Sequence, residues 1–141
     1  MSPRPQDAAP RHRVLIVDDE ESTRLLIARL LTRGMKLDAQ LAGTCEQALR
    51  LVSSYVYNAI LLDLLMPGIG GFGVLQEIRL SSPNAATPVI LVTQVAEKDT
   101  LERCLAAGAN AYHLKPVERS KLLAIVRDQL AARAGTTTSA R

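Results

Sequence analysis

The chain is poor in aromatic residues and in cysteines. Aromatic residues make up 3% of its 141 positions, so it offers few rings on which nucleic-acid bases could stack, and direct nucleic-acid binding is not expected. The two cysteines, Cys45 and Cys104, form no CxxC pair and have no histidine at metal-ligand spacing. Reduced, structural thiols are therefore expected.

The sequence also lacks long apolar runs. None approaches the roughly 20 residues that a helix needs to cross a bilayer. The opening MSPRPQDAAPRHR has no apolar stretch of signal-peptide length. We expect a cytoplasmic protein that does not contact a membrane.

The positive charge is concentrated at the two ends of the chain. The whole sequence has 17 basic and 14 acidic residues, a net charge of +3. Residues 1–13 and 133–141 carry five arginines and one acid: Arg4, Arg11, Arg13, Arg133, Arg141 and Asp7. Without them, 12 basic and 13 acidic residues remain, so a basic folded face is not indicated.

The length suits one domain with one sizeable core. We predict a single domain over residues 13–132. A flexible N-terminal tail is predicted for residues 1–12, which are rich in proline and arginine. A flexible C-terminal tail is predicted for residues 133–141, because the ending GTTTSAR has no apolar periodicity.

Short apolar runs alternate with segments of helical periodicity. The runs Val14 to Val17, Ala59 to Leu62 and Val89 to Val92 are almost wholly apolar, as is typical of parallel strands covered on both faces. Residues 37–42 and 109–114 are more mixed in polarity and fit the edges of a sheet. Five strands are therefore predicted.

A segment of helical period follows each predicted strand. These segments are 22–33, 45–53, 73–80, 98–107 and 118–133, with Gly34 and Gly108 as expected C-caps. Strands joined by crossovers of helical length run parallel. The predicted fold is α/β: a doubly wound (βα)5 parallel sheet of order 2-1-3-4-5, a flavodoxin-like three-layer sandwich.

Polar residues follow four of the predicted strands. The strand exits supply Asp18 and Asp19, Asp63, Thr93 and Lys115, and ligands in such sheets bind at the carboxyl ends of the strands. Each residue also has a purely structural interpretation. The acids near position 18 would suit a helix N-terminus, Thr93 could cap a helix, and Lys115 could be a solvated loop residue. Asp63 is harder to explain structurally, because burying a carboxylate is costly unless it is paired.

The charges predict a cation in this cleft. Three carboxylates repel one another strongly, and Lys115 offsets only one of the three negative charges. A divalent cation would balance the other two. Mg²⁺ fits, since it prefers oxygen ligands and needs few protein carboxylates. A carboxylate beside such a metal can act as a nucleophile toward a phosphoryl donor and form an aspartyl phosphate.

Four motifs in order resemble the receiver domain of two-component response regulators. They are VDDE after the first strand, DLLMPG after the third, a threonine ending the fourth and KP after the fifth. The resemblance covers roughly residues 13–131. It implies that Asp63 is the phosphoacceptor, that Asp19 and Asp63 ligate Mg²⁺ (or Mn²⁺) directly with the carbonyl of Leu65, and that Asp18 acts through a bound water.

The resemblance also implies a switch and a set of partners. Lys115 would pair with the phosphoryl group, Thr93 would move to bond one of its oxygens, and Tyr112 would turn inward as the aromatic switch. The bond between Lys115 and Pro116 would be cis. A sensor histidine kinase or phosphotransfer protein would donate the phosphoryl group. A downstream protein would bind the fourth helix, fifth strand and fifth helix, and catalysis would be limited to the chain's own phosphorylation and dephosphorylation.

Three alternatives remain open at this point. A degenerate receiver could act as a binding scaffold without phosphorylation. Residues 68–73 satisfy GxGxxG, although the dinucleotide fingerprint belongs after the first strand. A phosphatase of the haloacid dehalogenase type would have a second acid at position 65, where this chain has leucine. One departure from the receiver pattern is Gln94, where the family usually has a small residue.

Overall fold

The structure of the chain is a computed structural model that describes residues 12–139, with side chains described for residues 12–132. Five strands each precede a helix. In chain order the elements are β1 (Arg13–Val17), α1 (Glu21–Met35), β2 (Asp38–Ala42), α2 (Cys45–Ser54), β3 (Ala59–Leu62), α3 (Gly70–Ser81), β4 (Val89–Thr93), α4 (Lys98–Ala106), β5 (Ala111–Leu114) and α5 (Arg119–Ser139). All four strand pairings are parallel, in the order β2-β1-β3-β4-β5. The predicted fold class and strand order are confirmed.

The sheet divides the core into two apolar layers. Alternate residues of β1 point to opposite faces: Leu15 belongs to the layer that contains residues of α2, α3 and α4, and Ile16 to the layer that contains residues of α1 and α5. Both faces of β3 and β4 are covered, so their residues are buried throughout. Burying each such aliphatic side chain contributes about 1.5–3 kcal/mol. The sheet is therefore rigid, and the carboxyl ends of its strands provide a stable support for a site.

Helices α1 and α3 differ from the sequence prediction at their boundaries. Gly34 does not cap α1. The last residue of the helix is Met35, and the C-cap residue that follows, Lys36, has the left-handed conformation. A Cβ at Gly34 would lie 2.9 Å from Leu123 Cδ1, so this glycine allows α5 to approach α1. Helix α3 begins at Gly70, earlier than the predicted Gly73, and the N–H of Gly71 in its first turn donates to the carbonyl of Leu64 at 3.0 Å.

The ends of the chain are only partly described. Residues 1–11 lie outside the described residues, so the predicted N-terminal tail stays a prediction. Helix α5 extends to Ser139, beyond its predicted end at Arg133, and the alanines around that position favour helix. The predicted C-terminal tail of residues 133–141 thus overlaps the end of α5. Within residues 12–139, no helix is both long and apolar enough to span a bilayer.

Side-chain hydrogen bonds hold the amino ends of the strands together, at the end of the sheet opposite the predicted site. The Asn84 amide, fully buried, donates to the carbonyls of Val52 and Tyr55 and accepts from the N–H of Tyr57. The Arg79 guanidinium donates to the Gly108 carbonyl at 2.7 Å and to the carbonyls of residues 84 and 85. We call these contacts the Arg79–Asn84 clamp. They tie the loops that enter β3, β4 and β5 to one another.

A buried histidine in β5 makes folding sensitive to pH. His113 Nε2 accepts a hydrogen bond from the N–H of Glu118 at 3.0 Å, which requires a neutral ring. Burial lowers the pKa of His113, Glu118 opposes that shift, and Lys121 adds to it. The unfolded chain, with an ordinary histidine pKa of about 6.5, therefore binds a proton more readily than the folded one. Stability is expected to fall as pH drops through that value.

The measurement is the urea midpoint at pH 7.5 and pH 5.5 for the wild type and His113→Gln, whose amide oxygen can still accept a hydrogen bond. We expect the wild type to lose more stability than the variant over this interval. Equal losses in both proteins would contradict the assignment to His113.

Candidate functional site

The carboxyl ends of β1 and β3 bring three carboxylates together. Asp18, Asp19 and Asp63 each offer a carboxylate oxygen, and these oxygens lie within 4.8 Å of one another. Asp18 and Asp63 are 1% and 4% exposed, whereas Asp19 is open to solvent. The structure thus places the three predicted acids at one cleft. The cleft lies between β1 and β3, where the strand order changes from one side of β1 to the other.

Hydrogen bonds hold the N–H, the carbonyl and the carboxylate of Asp18. Its N–H donates to the Ala42 carbonyl at 3.1 Å, which continues the pairing of β1 with β2. Its Oδ1 accepts from the N–H of Glu20 at 2.9 Å, and its main-chain carbonyl accepts from Arg24 at 2.6 Å. These bonds fix both the main chain and the carboxylate before any ligand binds.

Asp63 follows β3 and is fixed in the same way. Its N–H donates to the Val17 carbonyl at 3.0 Å, and its Oδ1 accepts from the N–H of Leu65 at 3.2 Å. The side chain of Leu65 is 55% exposed, so this loop is reached from solvent. A nearly buried carboxylate therefore borders an open loop, which is suitable for a group that must react with an external donor.

Lys115 joins the two buried acids. Its Nζ donates to Asp18 Oδ2 at 2.8 Å and to Asp63 Oδ2 at 3.2 Å. Burial by itself would lower the pKa of Lys115, but the hydrogen bonds and charges of the two aspartates outweigh it and raise that pKa. The ammonium therefore stays charged at neutral pH and offsets one of the three negative charges.

The predicted switch residues lie on neighbouring strands. Thr93 ends β4, is fully buried, and its hydroxyl accepts from the N–H of Val95 at 3.2 Å. Tyr112 lies on β5 opposite Leu91 and is 42% exposed. The Lys115–Pro116 peptide bond is cis. Gln94 is exposed and lines a surface hollow together with Lys115 and Pro116.

The donor set suits a hard divalent cation. The three acids that converge on the cleft offer carboxylate oxygens, which Mg²⁺ and Mn²⁺ prefer over nitrogen or sulfur ligands. One lysine against three carboxylates leaves an excess of negative charge. The residues present therefore fit a divalent cation such as Mg²⁺.

Sequence reasoning missed two residues that shape the site. Arg24 donates from α1 to the Asp18 carbonyl. This contact could have been predicted, because helical side chains tilt toward the helix N-terminus, and a long side chain in the first turns can therefore contact the loop before the helix. Gly71 packs against the Asp63 carbonyl, a contact that no local pattern reveals. The GxGxxG segment of residues 68–73 follows β3 and includes the first turn of α3.

Comparison with known proteins gives a consistent picture. The sequence model of the response regulator receiver domain matches residues 14–127. The sensory/regulatory protein RpfC of Xanthomonas campestris pv. campestris is 32% identical over 82% of this chain. The chain spans only 16% of the length of that relative.

Two solved structures share the fold. The receiver domain of sensor histidine kinase PA1611 from Pseudomonas aeruginosa PAO1, solved with a magnesium ion coordinated in its active site cleft, is 30% identical with a TM-score of 0.77, over 86% of this chain and 99% of that one. A CheY-like receiver domain protein from Methanospirillum hungatei JF-1 is 26% identical with a TM-score of 0.83, over 90% of this chain and 99% of that one.

Proposed function

The chain belongs to the family of response regulator receiver domains, which are signalling modules of two-component systems, and on that premise we propose that it accepts a phosphoryl group on Asp63 in the presence of Mg²⁺. The observation that carries the proposal is the meeting of Asp18, Asp19 and Asp63 within 4.8 Å, beside Lys115 at 2.8 and 3.2 Å. A buried carboxylate with this surplus of neighbouring negative charge is poised for a cation and for a reaction that uses the carboxylate itself.

Asp63 acts as the nucleophile. One of its carboxylate oxygens forms a bond to the phosphorus of the donor, and the bond from phosphorus to the donor's imidazole nitrogen breaks, so the imidazole leaves with the electron pair. Two contacts orient the carboxylate for this attack: the Leu65 N–H on Oδ1 and Lys115 on Oδ2. Lys115 then neutralises charge on the transferred group.

Mg²⁺, when bound, would supply positive charge that stabilises the phosphoryl oxygens. Asp19 and Asp63 would hold it directly with the Leu65 carbonyl, and Asp18 through a water. Asp18 also keeps Lys115 in place through the 2.8 Å ion pair. The three carboxylates would therefore have different roles: Asp63 as nucleophile and ligand, Asp19 as ligand, and Asp18 as the partner of Lys115.

The phosphoryl group would shift a two-state equilibrium. The Thr93 hydroxyl, which now accepts a hydrogen bond from Val95, would turn to donate to a phosphoryl oxygen, and Tyr112 would move inward. The surface altered in this way is that of α4, β5 and α5, where a downstream protein would bind. We place the chain in the cytoplasm, with a sensor histidine kinase or phosphotransfer protein as donor and no direct contact with nucleic acid.

Acetyl phosphate and Mg²⁺ provide the test, read out by intact-mass analysis. We expect one added phosphoryl group per chain in the wild type, none after chelation of the metal, and none in Asp63→Asn. Asp128→Asn, which removes an exposed aspartate of α5, is the matched control and should be modified like the wild type. A wild-type chain that takes up no phosphoryl group would favour the alternative of a phosphorylation-independent scaffold.

A further inference from the structure

Arg24 reaches back from helix α1 to the main chain that carries the acidic pair. Its Nη1 donates to the carbonyl oxygen of Asp18 at 2.6 Å, and the side chain is half-buried. Arg24 lies in the first turns of α1, and helical side chains tilt toward the N-terminus of their helix. The guanidinium therefore contacts the main chain of the loop that carries Asp18 and Asp19.

This contact fixes the peptide between Asp18 and Asp19. The peptide unit is planar, so holding its carbonyl also sets the direction in which the chain leaves for the next Cα. On the other side, the Asp18 N–H is bonded to Ala42 at 3.1 Å. With both ends of Asp18 held, the exposed Asp19 leaves the strand in one defined direction, toward Asp63.

Gly43 leaves the space that the guanidinium occupies. A Cβ built on Gly43 would lie 2.8 Å from Arg24 Nη1 and 3.2 Å from its Cζ. Those atoms are the far end of a flexible side chain, so an alanine at this position would displace Arg24 and leave the main chain in place. The N–H of Gly43 is bonded to the Gln47 side chain at 2.8 Å, which holds this loop against the guanidinium.

We propose that Arg24 is a positioning residue for divalent-cation binding, acting through the Asp18 carbonyl and the space left by Gly43. The inference rests on the proposed function, since it concerns the same metal site. Two physical effects of Arg24 have opposite signs. Its positive charge repels a cation, so removing the charge alone would tighten binding, whereas losing the fixed peptide would weaken it.

Positioning is expected to be the larger effect. The guanidinium is bound to a carbonyl and is partly solvated, which screens its charge, while groups that orient metal ligands typically change metal affinity about 10- to 100-fold. Removing Arg24 should therefore weaken cation binding in spite of the lost repulsion.

Calorimetric titration of the full chain with Mg²⁺ is the test. We expect Arg24→Met and Gly43→Ala each to raise the Kd about 10-fold, and Arg24→Lys, which keeps a donor and a charge, to recover part of that loss. Arg29→Met, which removes an equal charge from the exposed face of the same helix, should leave the Kd unchanged. Thermal unfolding without metal checks that each variant is folded.

The double variant gives the sharpest result. If Gly43→Ala acts only by displacing the guanidinium, it should have no further effect on the Kd in the Arg24→Met background. Additive losses, or a Kd that is unchanged or lower in Arg24→Met, would overturn the inference while the proposed function stands. A wild-type chain that binds no Mg²⁺ would overturn the proposed function and this inference with it.

Discussion

Lys115→Met is expected to lower the free energy of unfolding of the metal-free protein by about 3–5 kcal/mol, the range found when one partner of a buried ion pair is removed. Lys115 is the shared partner of Asp18 and Asp63, whose side chains are 2% and 6% exposed. Without the ammonium, both carboxylates stay buried and repel each other and Asp19. Urea denaturation in the presence of a chelator measures the loss.

Mg²⁺ should restore much of this stability. In the variant a cation would be the main counter-charge for the three carboxylates, so the metal should raise the unfolding midpoint more than it does in the wild type. Lys121→Met is the matched control, because its pair with Glu118 is solvent-exposed and contributes about 0.5 kcal/mol or less. Equal stability of the two variants without metal would show that the Lys115 pairs do not hold the cleft together.

Gly71→Ala is expected to destabilise the protein by about 3 kcal/mol, at the upper end of the usual cost of overpacking. A Cβ at Gly71 would lie 2.1 Å from the Asp63 carbonyl oxygen and 2.6 Å from Leu64 Cα. These are main-chain atoms of the loop that carries the proposed phosphoacceptor, so they cannot move aside as a side chain would. The variant should also bind Mg²⁺ more weakly, because Asp63 must shift.

Gly73→Ala separates the close approach of Gly71 from the general effect of placing alanine in this helix. Its Cβ would lie 2.8 Å from Ile69 Cβ, so some crowding is expected here too, but Ile69 is 54% exposed and precedes the first residue of α3, whereas the neighbours of Gly71 are main-chain atoms of the site loop. The gain in helix propensity of up to about 1 kcal/mol offsets part of the crowding. Urea midpoints should therefore differ widely between the two alanine variants, and similar midpoints would contradict the role given to Gly71.

Buried parallel strands were the most predictable part of the molecule. Strands covered on both faces must be apolar along their length, so β1, β3 and β4 could be predicted from apolar runs in the sequence. The polar residues that follow these runs could then be predicted to lie together. Because the carboxyl ends of parallel strands share one edge, the meeting of Asp18, Asp19 and Asp63 follows from topology.

Contacts between distant segments were not predictable in the same way. Gly34 has the pattern of a helix cap, but the structure uses its missing Cβ for the approach of Leu123, which depends on how two helices pack. The same holds for Gly71 beside the Asp63 carbonyl. At both positions a close neighbour excludes a side chain, and only the fold shows which neighbour that is. The switch role of Tyr112 stays a prediction, since its half-exposed position on β5 is compatible with more than one role.

The Arg79–Asn84 clamp means that the two ends of β4 are held by different kinds of contact. At the amino ends of the strands, the Asn110 side chain accepts from the N–H of Val89, where β4 begins, at 2.8 Å, and Arg79 donates to the same side chain at 3.0 Å. At the other end, the main-chain carbonyl of Thr93 accepts from the N–H of Lys115 at 2.8 Å, and its hydroxyl accepts from the N–H of Val95, two residues further along the chain. A movement of the Thr93 side chain, as proposed for the switch, would therefore reach the loop into α4 through Val95 and would leave the amino end of β4 in place.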